Sequence, residues 1–246
     1  MPQNAISPEQ NQLLAAMPAA ARDRLDPYLE PVSLDLGDVL YESGDRLQYV
    51  HFPTDSIVSL MYVMENGSSA EISVVGNEGV VGIAVFMGGA STTSRAVVQS
   101  AGSAYRLAGA RLNTEFNAVG EVQHLLLLYT QALLTQMAQT AVCNRHHTID
   151  QQLARWLLLS LDRLRNDEVA MTQELIANML GVRREGVTNA AMKLQRMGVI
   201  QYNRGHIRVL DRPRLEELTC ECYAVVKRET DRLLPTPIQR DSSVTE

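Results

Sequence analysis

The sequence predicts an α+β chain in three parts: an N-terminal antiparallel β-roll, a long helix, and a C-terminal winged helix-turn-helix. Three observations predict it. Short β-type runs punctuated by glycine fill Val32 to Leu112. A proline-free helical stretch follows from Leu112 to about Thr140, with Gly120 its only glycine. Two short amphipathic runs then flank Gly181, and a hairpin signal comes after them. The expected divisions are 1–112 for the roll with its leading helices, 113–141 for the long helix, 147–234 for the winged domain, and 235–246 for a disordered polar tail.

Composition sets the bounds. At 246 residues, 46% hydrophobic and 20% charged, the chain can bury two cores. No apolar run reaches the ~20 residues of a membrane span. The start, MPQNAISPEQ, lacks a basic segment followed by an apolar core, so no export signal is expected. Three cysteines do not suggest a disulfide framework. The expected location is the cytoplasm, with no membrane partner.

In chain order, residues 1 to about 30 suggest a polar lead and short helices, with Leu13, Leu14 and Met17 as one apolar patch and Leu25, Tyr28 and Leu29 as another. The next stretch holds runs of four to eight residues separated by Gly37, Gly44, Gly67, Gly76 and later glycines, a pattern of antiparallel sandwiches and barrels. Residues 1–112 carry six basic and twelve acidic side chains and no lysine, so nucleic acid is not expected to bind there. In the long helix Val119, Val122, Leu126, Tyr129, Leu133 and Met137 step by three and four, the spacing of a two-helix seam. With Leu125 and Leu128 beside it, the helix is apolar on more than one side. The expectation is a homodimer through the seam, with the other side on the roll. Thr148 to about Leu164 predicts a helix that floors the winged domain, and Arg212 to Leu234 a single last helix.

The stretch MTQELIANMLGVRREGVTNAAMKLQRMGVI carries the most specific signal. Thr172 is an N-cap type. Leu175, Ile176, Met179 and Leu180 are expected on one buried face, and Gly181 at a left-handed C-cap. Val187, Ala190, Ala191, Leu194 and Met197 give the second helix its stripe. Arg184, Glu185, Thr188 and Asn189 fall on the opposite face near its start. A recognition helix places such residues against base edges: Arg to guanine, Glu to the cytosine amino group, Asn to adenine. Arg184, Glu185 and Asn189 are therefore the expected base readers of double-stranded DNA, with Thr172, Arg183, Thr188 and Arg204 on its backbone. The runs Val199–Tyr202 and His206–Leu210, around Asn203-Arg204-Gly205, predict a wing. Between Arg183 and Arg214 eight basic residues face two acidic ones, +6 within a chain of net −6, the charge footprint of phosphate contact.

Taken together, these features resemble the cyclic-AMP receptor protein and fumarate–nitrate regulator (Crp/Fnr) family of bacterial transcription factors over roughly residues 25–225. The resemblance implies a cyclic-nucleotide-binding-like jelly roll, base reading by Arg184, Glu185 and Asn189, and RNA polymerase as a protein partner. It also implies an effector pocket near Gly79, Val80, Gly82 and Arg95. That stretch departs from the family pattern: Val80 stands where a glutamate would hold ribose hydroxyls, and the basic residue of the phosphate clamp survives only as a shifted Arg95. Buried ribose without partners costs about 1–3 kcal/mol per group, so cyclic AMP is not expected to bind. An iron–sulfur cluster is not expected either, because no cysteine precedes Cys143.

Neither Cys143-Asn144-Arg145-His146-His147 nor Cys220-Glu221-Cys222 supplies a closed tetrahedral ligand set by itself, so no metal site is expected and the first segment reads as a hinge. No cofactor and no catalytic residue is expected. The alternatives are a DNA-binding dimer without any small effector and, remotely, a metal-dependent cupin-like enzyme. The second conflicts with a β half that holds a single histidine, His51.

Overall fold

The computed structural model describes residues 6–164, 167–203 and 205–234. Arg204 and the tail 235–246 lie outside them. Seven strands form the roll: β1 (Glu30–Leu34), β2 (Val39–Tyr41), β3 (Tyr49–Pro53), β4 (Ile57–Val63), β5 (Ser69–Val75), β6 (Arg95–Ser100) and β7 (Gly102–Ala108). They pair antiparallel in two sheets, ordered β1-β7-β3 and β2-β6-β4-β5. Phe52, Val58, Val75, Ala104 and Leu107 fill the space between them. Two short helices, α1 (Gln12–Ala16) and α2 (Ala19–Leu25), close one end. Buried Asn11 pins them: its side-chain amide donates to the Pro53 carbonyl (2.9 Å) and the Gly79 carbonyl (2.8 Å), while its oxygen caps α1 at the Leu14 amide.

The expected single long helix is two. α3 (Gly109–Asn117) stops, and α4 (Glu121–His146) starts after a break. Val119 sits in that break at φ +51°, 74% exposed. A β-branched residue in the left-handed region cannot continue a helix, so Val119 leaves the expected seam. The rest of that stripe turns inward. Val122, Leu126, Tyr129 and Leu133 are buried in the roll's own core and Met137 packs against it. These residues are therefore not an inter-chain seam; the roll has a large apolar face to cover, and this stripe covers it. Gln136 on the same side pairs with β5, an edge strand, accepting from the Val74 amide (2.7 Å) and donating to the Val74 carbonyl (3.2 Å). On the solvent side α4 exposes a different heptad. Leu127 (46% exposed), Leu134 (58%) and Ala141 recur every seven residues, interleaved with His124, Gln131 and Ala138.

The C-terminal half begins with α5 (Ile149–Leu161), held at its start by a reciprocal Thr148–Gln151 capping box. There follow β8 (Glu168–Ala170), α6 (Gln173–Leu180), α7 (Arg184–Arg196), β9 (Ile200–Asn203), β10 (His206–Val209), α8 (Arg212–Leu218) and α9 (Glu221–Leu233). The wing has a third strand beyond the expected hairpin, the sheet order being β8-β10-β9. The expected last helix is broken at Thr219 and Cys220, both extended, which turns Cys220 and Cys222 back toward the end of α4. The two halves share buried surface. Ile57, Met61 and Val74 of the roll pack with Leu157, Ile176 and Leu180. Arg163 and Glu78, both nearly buried, form an ion pair (2.7 Å) across the same junction.

Candidate nucleic-acid interface

α6 and α7 meet through Gly181, whose φ of +65° is the left-handed cap that lets the chain reverse within three residues. Thr172 caps α6 by accepting from the Leu175 amide (3.3 Å). Ile176, Met179 and Leu180 are buried, but Leu175 is exposed, so the buried face of α6 is narrower than expected. On α7, Val187, Ala190, Ala191 and Leu194 are buried, while Met197 lies past the last helical turn and faces solvent. Thr188 bonds Gln173 Oε1 (2.6 Å) as well as the Arg184 carbonyl (3.1 Å). It fastens α7 to α6, a role distinct from the expected phosphate contact. Gln173 is absent from the sequence-based site; its position one residue after the α6 cap is the only sequence signal for it.

The charge picture changes once partners are located. Lys193 pairs with Asp150, Arg208 with Glu168, Arg212 with Asp162 and Glu216, and Arg214 with Glu217. All of these carboxylates lie outside the window Arg183–Arg214, so the local +6 is largely offset. What remains is concentrated at the start of α7. Arg183, Arg184, Glu185 and Asn189 are exposed, and none has a side-chain hydrogen bond or ion pair among the described residues. Arg196 adds an exposed cation that, among the described residues, hydrogen-bonds only the Met192 carbonyl (3.3 Å).

In the roll, the four expected pocket residues have different neighbours. A side chain on Gly79 would meet the Tyr129 ring at 2.5 Å, and the Tyr129 hydroxyl donates to the Val80 carbonyl (3.0 Å). Val80 is fully buried. Gly82 packs on Leu47 and Val50, and Arg95 pairs with Glu42 (2.9 Å). A separate surface cleft between β2 and β3 has Tyr41, Arg46, Tyr49 and His51 on its walls. Burial, with Arg106 nearby, pushes the His51 imidazole down to about 4.

Comparison with known proteins matches this arrangement. A family model described as the cyclic nucleotide-binding domain matches residues 31–118, and one described as the Crp-like helix-turn-helix domain matches 151–218, together more than half the chain. The chain belongs to the Crp/Fnr family. Among solved structures, FixK2 from Bradyrhizobium japonicum is similar at 18% identity and TM-score 0.66, covering 78% of this chain and 98% of that one. A putative Crp/Fnr-family regulator from Eubacterium rectale gives 16%, 0.67, 85% and 98%. The c-di-GMP-responsive regulator CLP of Xanthomonas campestris gives 13%, 0.62, 78% and 99%. No curated protein matches the chain. It is thus a Crp/Fnr-type transcription regulator with a cyclic-nucleotide-binding-type roll and a DNA-binding helix-turn-helix. No helix among the described residues is long and apolar enough to cross a membrane.

At the start of α7, Thr188 is engaged with Gln173, while Arg183, Arg184, Glu185 and Asn189 have no side-chain partner among the described residues. The roll differs. Tyr129 of α4 occupies the space beside Gly79 and Val80, so in this Crp/Fnr protein an aromatic side chain abuts the stretch where the family resemblance places an effector pocket.

Proposed function

We propose that the protein is a homodimeric, sequence-specific DNA-binding regulator in the cytoplasm, with RNA polymerase as a further partner. Arg184, Glu185 and Asn189 read bases, and Arg183 and Thr172 lie against the backbone. Arg204, outside the described residues, is assigned the same backbone role. The observation that carries this reading is that Arg183, Arg184, Glu185 and Asn189, exposed at the start of α7, have no side-chain partner among the described residues, while Lys193, Arg208, Arg212 and Arg214 are paired. The dimer seam is the outer heptad of α4, His124, Leu127, Gln131, Leu134, Ala138 and Ala141, in place of the buried stripe. Two such subunits would set recognition helices about one DNA turn (~34 Å) apart.

Selection of bound duplexes from a random pool would define a site. Arg184→Ala should then lower the specific-to-nonspecific affinity ratio by about 1–3 kcal/mol. Equal losses on selected and random DNA would contradict base reading by this side chain.

A second reading concerns the roll, which we propose does not bind cyclic AMP. The contact of Tyr129 with Gly79 and Val80 favours a dimer that binds DNA without any small effector. Titration calorimetry with cyclic AMP and with cyclic di-GMP, the ligand class of one structural relative, separates the readings. Heat with cyclic AMP would overturn the proposed loss. Heat with the dinucleotide alone would restore an effector of another kind.

A further inference from the structure

Neither cysteine-bearing segment can close a metal site alone, yet the fold brings them together. Cys143 lies near the end of α4, His147 at the turn into α5, and Cys220 and Cys222 at the start of α9. Their four donor atoms all lie within 4.8 Å of one another. The three cysteines are free thiols, and they form a small buried cluster of their own. Cys143 Sγ to Cys220 Sγ is 3.6 Å, and Cys222 Sγ to His147 Nδ1 is 3.6 Å. A tetrahedral zinc with bonds of about 2.3 Å to sulfur and 2.0–2.1 Å to nitrogen needs donor–donor edges of roughly 3.5–3.8 Å. Both separations match such edges. They are far beyond the ~2.0 Å of a disulfide.

The surroundings fit a cation as well. His147 turns Nδ1 toward the sulfurs, and its Nε2 lies 3.3 Å from Glu221 Oε2. A carboxylate on the far nitrogen is the arrangement that orients metal-bound histidines. Arg155 is buried, its Nε has no partner, and its charge acts on both Cys143 and Cys222. Three thiolates and one neutral imidazole around a divalent ion leave a net negative charge, which a buried arginine balances.

We propose that Cys143, His147, Cys220 and Cys222 form a closed, mononuclear Cys3His zinc site that clamps the end of α4 to the starts of α5 and α9. The donor set is soft and complete, with no open position for a substrate, so the site is structural. It sits where the helix leaving the roll hands over to the DNA-binding helices. Zinc would fix the angle of that joint. The proposal stands independently of how the protein reads DNA.

The test uses the full-length protein, purified under reducing conditions, with zinc measured directly and cobalt(II) titrated into reduced, metal-stripped protein. One zinc per chain is expected. Cobalt should give tetrahedral d–d bands with sulfur-to-metal charge transfer, which zinc then displaces. Cys222→Ser and His147→Asn should abolish that spectrum, Glu221→Gln should weaken affinity about tenfold, and exposed His146→Asn should leave it unchanged. A wild-type protein that gives no tetrahedral thiolate spectrum, or one whose Cys143 and Cys220 are joined in a disulfide and bind no cobalt after reduction, would overturn the site. So would a folded Cys222→Ser variant that holds cobalt as tightly as the wild type.

Discussion

Helices α7 and α4 are both amphipathic at first sight, yet they teach opposite lessons. α7 buries one stripe, and on its polar face Arg184, Glu185 and Asn189 have no side-chain partner among the described residues, so its sequence has a single reading. α4 is apolar on two sides, and the side with the better three-and-four spacing is the one that the roll covers. A periodic stripe states that a surface is buried; it does not state by what. Intramolecular core and inter-chain seam share the same spacing. Only the roll's uncovered face, which no local pattern encodes, decides between them.

The strongest test of that contrast is on α4. Leu126→Ala removes a fully buried side chain from the roll core and should cost about 2–5 kcal/mol in urea unfolding. Leu134→Glu, on the outer stripe, should leave the circular dichroism spectrum unchanged while moving the protein from dimer to monomer in sedimentation. If Leu134→Glu instead stays dimeric and Leu126→Ala dissociates a stable fold, the two faces have been assigned the wrong way round.

The next effect is pH-dependent and belongs to the junction between the halves. Ser59 Oγ lies 2.5 Å from Glu71 and 2.8 Å from Gln99 Oε1, and Gln99 donates to Ser160 of α5 (2.9 Å). One hydroxyl has one hydrogen. If Ser59 gives it to Gln99, Glu71 must bring its own proton. Burial, outweighing the Ser59 hydrogen bond, pushes the Glu71 carboxyl up to about 7 from 4.5. The folded chain therefore keeps a proton that the unfolded chain releases, and stability should fall as pH rises from about 4.5 through 7. Glu71→Gln should remove that decline, gaining on the order of 1–3 kcal/mol at pH 8 over the wild type. Parallel pH profiles of the two proteins between pH 5 and 8 would refute it.

What the sequence discloses follows the range of the interaction. The Thr172 cap, Gly181 and the α7 stripe depend on neighbours within a turn, so helix-turn-helix and wing are legible from the residues alone. The Thr148–Gln151 box is equally local. The break at Val119 is hidden because Gly120 alone is a weak stop, and the break at Thr219 because no proline or glycine marks it. The Cys3His cluster joins residues about 75 positions apart, and Tyr129 meets Gly79 across 50. Each segment is uninformative until the fold supplies the other. The basic window misleads for the same reason: Asp150, Asp162 and Glu168, which offset it, lie upstream in sequence.

That last point yields the finest test, on α7 itself. If local pairing decides which cations meet phosphate, basic residues on one helix should differ in their salt dependence. Arg183, unpartnered at the N-terminal end, should contribute a full counterion, so that Arg183→Ala lowers the slope of log K against log salt by about 1. Lys193, already paired with Asp150, displaces less counterion, and Lys193→Ala should change the slope by only a few tenths. An exposed ion pair is worth little in itself, so DNA could still compete Lys193 away from Asp150. Equal slopes for the two variants would mean that it does, and that the uncorrected charge count describes the interface better than the paired one.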